Sequence, residues 1–155
     1  MIYCDTSFLV SLYFPRDAFG SEARKIASDF EQSIPYSLLA ELELITAAER
    51  LTGARQLSLA ENRGIFSRIR DDLANGLLEP CSFDLAANYQ KAIRLAKEHN
   101  ARARARTLDI LHIATALQLE AKTLISFDTR QRKLAGSVGL ALLPKQFSNA
   151  GQLLG

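Results

Sequence analysis

Five short runs of apolar, β-favouring residues punctuate the chain, and longer helical patterns lie between them. The runs are Ile2–Cys4, Ile34–Tyr36, Leu77–Cys81, Thr123–Ser126 and Leu140–Leu143. Strands this short, each followed by enough chain for a helix, are not hairpin partners. They require crossover connections, and therefore a mostly parallel sheet covered by helices. The 155 residues are 48% apolar and 23% charged, which excludes a disordered chain. They suffice for one domain, expected over 1–155. Cys4 and Cys81 form no CxxC and no cluster with histidine, so two reduced thiols are expected rather than a disulfide framework. No run approaches the roughly 20 apolar residues of a membrane span. The start of the chain lacks a basic segment, and Asp5 interrupts its apolar run, so no signal peptide is expected and the location is expected to be cytoplasmic.

Helix boundaries follow from capping chemistry. Asp5-Thr6-Ser7 ends the first strand with three residues that favour a helix start, and Ser37 opens a helix stopped near Gly53. A long amphipathic helix covers Leu57–Asn75, and others are expected over Ser21–Phe30, Asp84–Asn100, Thr107–Ala121 and Arg130–Ala135. Helical periodicity places Leu38, Leu42, Ile45 and Ala48 on an inward arc, with Glu41 inside it and Glu43 facing solvent. The same periodicity turns Leu85, Tyr89, Ile93 and Ala96 inward. Pro35 argues for an edge or strand-start position in the second strand.

In parallel sheets the functional crevice lies beyond the carboxyl ends of the strands. Asp5 follows the first strand directly, and Asp128 follows the fourth by two residues. Each could simply cap a helix. Glu41, in the first turn after the second strand, is an inward carboxylate that needs a partner, a cleft or a metal. Asp109 lies in the opening turn of an apolar helix, near His112, where it could also serve the helix dipole. Asp5, Glu41, Asp109 and Asp128 are expected at one edge of one sheet. Like charges crowded together raise one another's pKa values unless cations intervene. Oxygen ligands of this kind suit Mg²⁺, with Mn²⁺ as a substitute, and an acidic nest of this sort serves phosphodiester hydrolysis.

In order, the motifs are Asp-Thr-Ser after a strand, Ser-Leu-Leu-Ala-Glu-Leu, Leu-Asp-Ile-Leu-His-Ile-Ala-Thr-Ala-Leu and Leu-Ile-Ser-Phe-Asp-Thr. Together they resemble the PIN domain, and more narrowly the VapC-type toxins of toxin–antitoxin pairs. The resemblance runs from Ile2 to Leu143. It implies a three-layer α/β/α fold and metal-dependent endoribonuclease activity, with the acidic role carried by Asp5, Glu41, Asp109 and Asp128. It also implies a supporting hydroxyl, for which Ser7 and Ser126 match, and two partners: a second copy of the chain and a cognate antitoxin.

The net charge is only +2, from 19 basic and 17 acidic residues, so the placement of charge matters more than its total. Arg102, Arg104 and Arg106 alternate with alanines. An extended loop would put all three on one side, aimed at RNA phosphates; the competing reading is a solvated loop. Arg130, Arg132 and Lys133 follow Asp128 and invite the same two readings. His112 has three: general base, partner of Asp109, or packed core residue. Leu12–Pro15 with Phe19 is expected in a loop, part core and part adhesive surface. A non-catalytic binding module is the alternative to the nuclease. A phosphoryl-accepting receiver domain is disfavoured, because the Leu77–Cys81 run ends without an aspartate. No GxGxxG or GxxxxGK[ST] supports a nucleotide cofactor.

Overall fold

The computed structural model describes residues 1–147. Residues 148–155 of the span expected as one domain lie outside the described residues. In chain order the elements are β1 (Ile2–Cys4), α1 (Thr6–Tyr13), α2 (Gly20–Ser28), β2 (Ile34–Tyr36), α3 (Leu38–Gly53), α4 (Leu59–Ala74), β3 (Leu78–Pro80), α5 (Leu85–Ala103), α6 (Thr107–Gln118), β4 (Thr123–Ile125), α7 (Thr129–Ser137) and β5 (Ala141–Leu143). The architecture is α/β, and every strand pair is parallel. The strands pair as two sets, β1-β4-β5 and β2-β3, and the chain divides into two compact units accordingly.

One unit holds Met1–Asp5 and the chain from Ser82. Its sheet is in strict register: Cys4 lies opposite Ile125, and Ile125 opposite Leu143. The ladder continues one step past each strand. Asp5 N–H donates to Ile125 O at 3.1 Å, and Ser126 N–H donates to Leu143 O at 3.2 Å. Tyr3, Leu124, Ile125 and Phe127 are buried with Ile113 and Ala114 of α6 and Leu134 of α7. Helix α5 packs on α6, and both pack on α7.

The other unit runs from Thr6 to Cys81. Among the described residues its β2 pairs with β3 alone, an edge position, one of the two that Pro35 allows. Ser37 caps α3 by accepting Ala40 N–H at 3.2 Å, and Ser58 and Glu61 close a capping box at the start of α4. Tyr13 and Phe14 are buried, and Leu12 and Tyr13 belong to α1 rather than to the expected loop. The adhesive patch expected at Leu12–Pro15 is therefore largely core.

Two helical faces differ from expectation. Helix α3 buries Ala40, Leu44 and Ala48, whereas Leu38 is 80% exposed, with Leu42 and Ile45 also exposed. The alanines allow α3 to approach α1 and α4 closely, which larger side chains would prevent. Helix α5 buries Asn88, Ala92 and Leu95 and leaves Leu85, Tyr89 and Ile93 exposed. Buried Asn88 is half satisfied: its Nδ2 donates to Thr115 Oγ1 of α6 at 3.0 Å, while its Oδ1 has no hydrogen-bond partner among the described residues.

Candidate active site

The register of β1 and β4 brings Asp5 and Ser126 out at the carboxyl edge of the three-stranded sheet in step. Asp5 is fully buried. Ser126 Oγ donates to Asp5 Oδ2 at 2.5 Å, and the same oxygen accepts Asp128 N–H at 3.0 Å. One hydroxyl thus joins two of the expected acids. Asp128 caps α7: its Oδ1 accepts Arg130 N–H at 2.7 Å and Gln131 N–H at 2.9 Å. Asp109 occupies the first turn of α6, where its Oδ2 accepts Arg106 N–H at 2.7 Å.

Asp109 is half-buried, and its carboxyl is held above the usual carboxylate range. Desolvation is the main cause, and the charge of Asp128 adds to it; the Arg106 N–H bond opposes it, as do the charges of His112 and Arg130. Asp109 and Asp128 are therefore electrostatically coupled across α6 and α7. Burial also raises the Cys4 thiol, with the adjacent Asp5 charge as the second cause.

His112 is 2% exposed, and its Nδ1 lies 2.8 Å from the Tyr3 hydroxyl. This places it in the core, bonded to β1, and its charge bears on Asp109 as well. Tyr3 and Gln131 escaped the sequence reading. Gln131 is buried, and its Nε2 stands 3.5 Å from Asp109 O. The only available signals were their spacings, two residues before Asp5 and three after Asp128.

Glu41 follows β2, which belongs to the two-stranded sheet, so the four acids do not follow strands of a single sheet. Within its own unit Glu41 lies near Tyr36. The Tyr36 hydroxyl is pushed up to about 12, first by burial and then by the Glu41 charge. Glu43 is not solvent decoration: it is half-buried, and its Oε2 accepts the Thr6 hydroxyl at 2.5 Å. Ser7 sits in the first turn of α1, its carbonyl accepting the Ser11 hydroxyl at 3.0 Å.

The arginine row is exposed, but not as an extended loop. Arg102 ends α5, Arg104 is its left-handed cap at φ 54°, and Arg106 precedes α6. Buried Ala103 and Ala105 separate them and turn all three outward.

Asp5, Asp109 and Asp128 supply only oxygen donors, the chemistry that Mg²⁺ and Mn²⁺ take. Among the described residues, no three His, Cys, Asp or Glu side chains are gathered as a ready metal cage. Mg²⁺ does not need one, since it keeps several waters and commonly uses one or two carboxylates. The coupled charges of Asp109 and Asp128 fit such a partly hydrated cation.

Parallel strands covered by helices, with Asp5 and Ser126 at the carboxyl edge of one sheet and no glycine-rich phosphate loop, define the class as α/β with acidic residues at strand ends. The family model described as PIN domain matches residues 2–137, and the chain belongs to the PIN domain family. No curated protein matches the sequence. The fold is similar to VapC20 of Mycobacterium tuberculosis, a sarcin-ricin-loop-cleaving toxin, with TM-score 0.66 and 17% identity over 91% of this chain and 97% of that one. It is similar to a toxin–antitoxin complex from Klebsiella pneumoniae, with TM-score 0.62 and 18% identity over 96% of this chain and 100% of that one. It is also similar to VapBC2 of Rickettsia felis, solved bound to a promoter DNA fragment, with TM-score 0.62 and 19% identity over 92% and 97% of the two chains. No helix among the described residues is long and apolar enough to cross a membrane.

Proposed function

We propose that the chain is a Mg²⁺-dependent endoribonuclease and the toxin half of a toxin–antitoxin pair. The observation that carries this reading is the junction at Ser126, whose hydroxyl joins Asp5 to the start of α7 beside the coupled Asp109 and Asp128. A cation at these acids would neutralise their repulsion and lower the pKa of water at the scissile phosphate. Asp5, Asp109 and Asp128 would hold it, directly or through water. Ser126 orients Asp5, and the helix cap at Asp128 commits its Oδ1 to backbone donors. The exposed Arg102, Arg104 and Arg106 would hold the RNA backbone, since guanidinium pairs bidentately with phosphate and keeps its charge. The acidic role of Glu41 rests on the resemblance alone.

The partners follow from the neighbours' toxin–antitoxin assemblies and from the two exposed apolar stripes, Leu38-Leu42-Ile45 and Leu85-Tyr89-Ile93. Exposed apolar stripes of this kind mark protein contacts. We assign them to a second copy of the chain and to an antitoxin, and sedimentation of the isolated chain should show a dimer.

The test is cleavage of RNA with Mg²⁺ and with EDTA. Mg²⁺ should be required, and the products should carry 5′-phosphate and 3′-hydroxyl ends. Asp5→Asn should lower the rate by about a hundredfold or more, as several kcal/mol of charge stabilisation is lost. Glu41→Gln tests the role carried by resemblance. One observation favours the alternative, a non-catalytic binding module: Asp109 and Asp128 each serve the start of their own helix. That reading predicts RNA binding without cleavage, indifferent to EDTA.

A further inference from the structure

We propose that Arg132 is a positioning residue of the acidic site. Its guanidinium fixes the carboxyl ends of β4 and β5 and, through Ser126, sets the arrangement of Asp5 and Asp128. The inference rests on the metal-site reading above and extends it to a residue that touches neither metal nor substrate.

By sequence Arg132 is one of three basic residues after Asp128 and a candidate for phosphate. The structure spends it otherwise. Its Nη1 donates to Ser126 O at 2.9 Å and to Leu143 O at 2.8 Å, and its Nη2 donates to Pro144 O at 2.7 Å. The guanidinium also lies over the Phe147 ring, 5.0 Å from its centroid, and Phe147 in turn packs on Phe127. Phe127 is buried between Ser126 and Asp128 in the chain.

The clamp answers a local need. Strands β4 and β5 are three residues long, so their ladder ends just where the acids begin. Carbonyl groups at such an end need donors from elsewhere. Arginine offers five donors in a rigid planar fork, which can bridge two adjacent strand ends at once. Ser126 is then held at every polar group: its N–H by Leu143 O, its carbonyl by Arg132, and its hydroxyl between Asp5 and Asp128 N–H. A shift of Ser126 would lengthen the 2.5 Å bond to Asp5 and move the start of α7 together. Lysine, with one compact ammonium, cannot reproduce the fork, although it would serve a phosphate well.

The experiment is calorimetric Mn²⁺ titration of the metal-free chain, with salt-dependent binding of a short single-stranded RNA measured in EDTA. Variants are Arg132→Lys, Arg132→Gln, Ser126→Ala, Arg132→Lys with Ser126→Ala, and Asp5→Asn, each checked for folding by circular dichroism. Arg132→Lys should weaken Mn²⁺ binding by roughly 10–100-fold, the range for residues that orient metal ligands. Its salt slope for RNA should equal the parent's. Once Ser126 is alanine, the lysine change should add less than about twofold, because residues acting through one another are not additive. Should Arg132→Lys fail to fold, Arg132→Gln, which can still reach one carbonyl, carries the same expectation. Parent-like Mn²⁺ affinity in a folded Arg132 variant overturns the proposal. So does a salt slope reduced by about 0.7 with Mn²⁺ affinity intact, which would make Arg132 a phosphate contact. Equal Mn²⁺ binding by the parent and Asp5→Asn would remove the metal-site reading itself, and this inference with it.

Discussion

Ser126 is a small residue with an unusual share of the site's geometry. Its hydroxyl is the donor to a fully buried carboxylate, Asp5 Oδ2. Removing such a donor takes a hydrogen bond from a buried carboxylate oxygen. Ser126→Ala should therefore cost about 1.5–3 kcal/mol of stability, measured by urea unfolding, the range for hydrogen bonds to charged groups. A loss below about 0.5 kcal/mol would show that the serine is not the donor that matters. At this scale the sequence was legible where position in the chain decides the matter. Asp5 and Asp128 stand just past apolar strands, and the parallel register brings their neighbours together. It was illegible where partners come from distant segments. Nothing local marks Tyr3 as the companion of His112, or Thr6 as the donor to Glu43.

Among the elements, boundaries were readable, and the faces of α3 and α5 were not. Ser37, Ser58, Asp84 and Asp128 each accept a backbone N–H at a helix start, a local bond that residue type announces. The faces of α3 and α5 are set by what packs against them. Both helices carry apolar residues on more than one side, so periodicity offers two arcs and packing selects the one with alanines or a bonded asparagine. Leu44→Ala should cost about 2–5 kcal/mol, whereas Leu42→Ala should change stability by less than about 0.5 kcal/mol in chemical denaturation of dilute protein. Equal costs would restore the arc that periodicity favoured. The start of α4 makes a pH prediction. Hydrogen bonds from Arg16, and then from the Ser58 backbone and hydroxyl, lower the Glu61 carboxyl to about 2. A depressed carboxyl stabilises the fold above its unfolded pKa, and that stabilisation is lost as pH falls from about 4.5 towards 2. Thermal melts across this window should be flatter for Glu61→Gln than for the parent.

For the whole molecule, a net charge of +2 gives little general attraction to nucleic acid, so the proposed RNA binding would rest on where the arginines sit. Replacing Arg102, Arg104 and Arg106 with alanine should reduce the slope of log affinity against log salt by up to about 2, at about 0.7 for each single-strand phosphate. Mn²⁺ binding should survive. An unchanged slope would return the row to ordinary solvated charge, and lost Mn²⁺ binding would show that the arginines brace α6. The proposed function requires that the acids past β1 and β4 and in the first turn of α6 hold a divalent cation for cleaving RNA. Anomalous diffraction from crystals grown in Mn²⁺ tests it most directly. A manganese peak is expected in contact with the carboxylates of Asp5, Asp109 or Asp128, absent in Asp5→Asn crystals. Full Mn²⁺ occupancy elsewhere, or density at these acids that persists in Asp5→Asn, would contradict it.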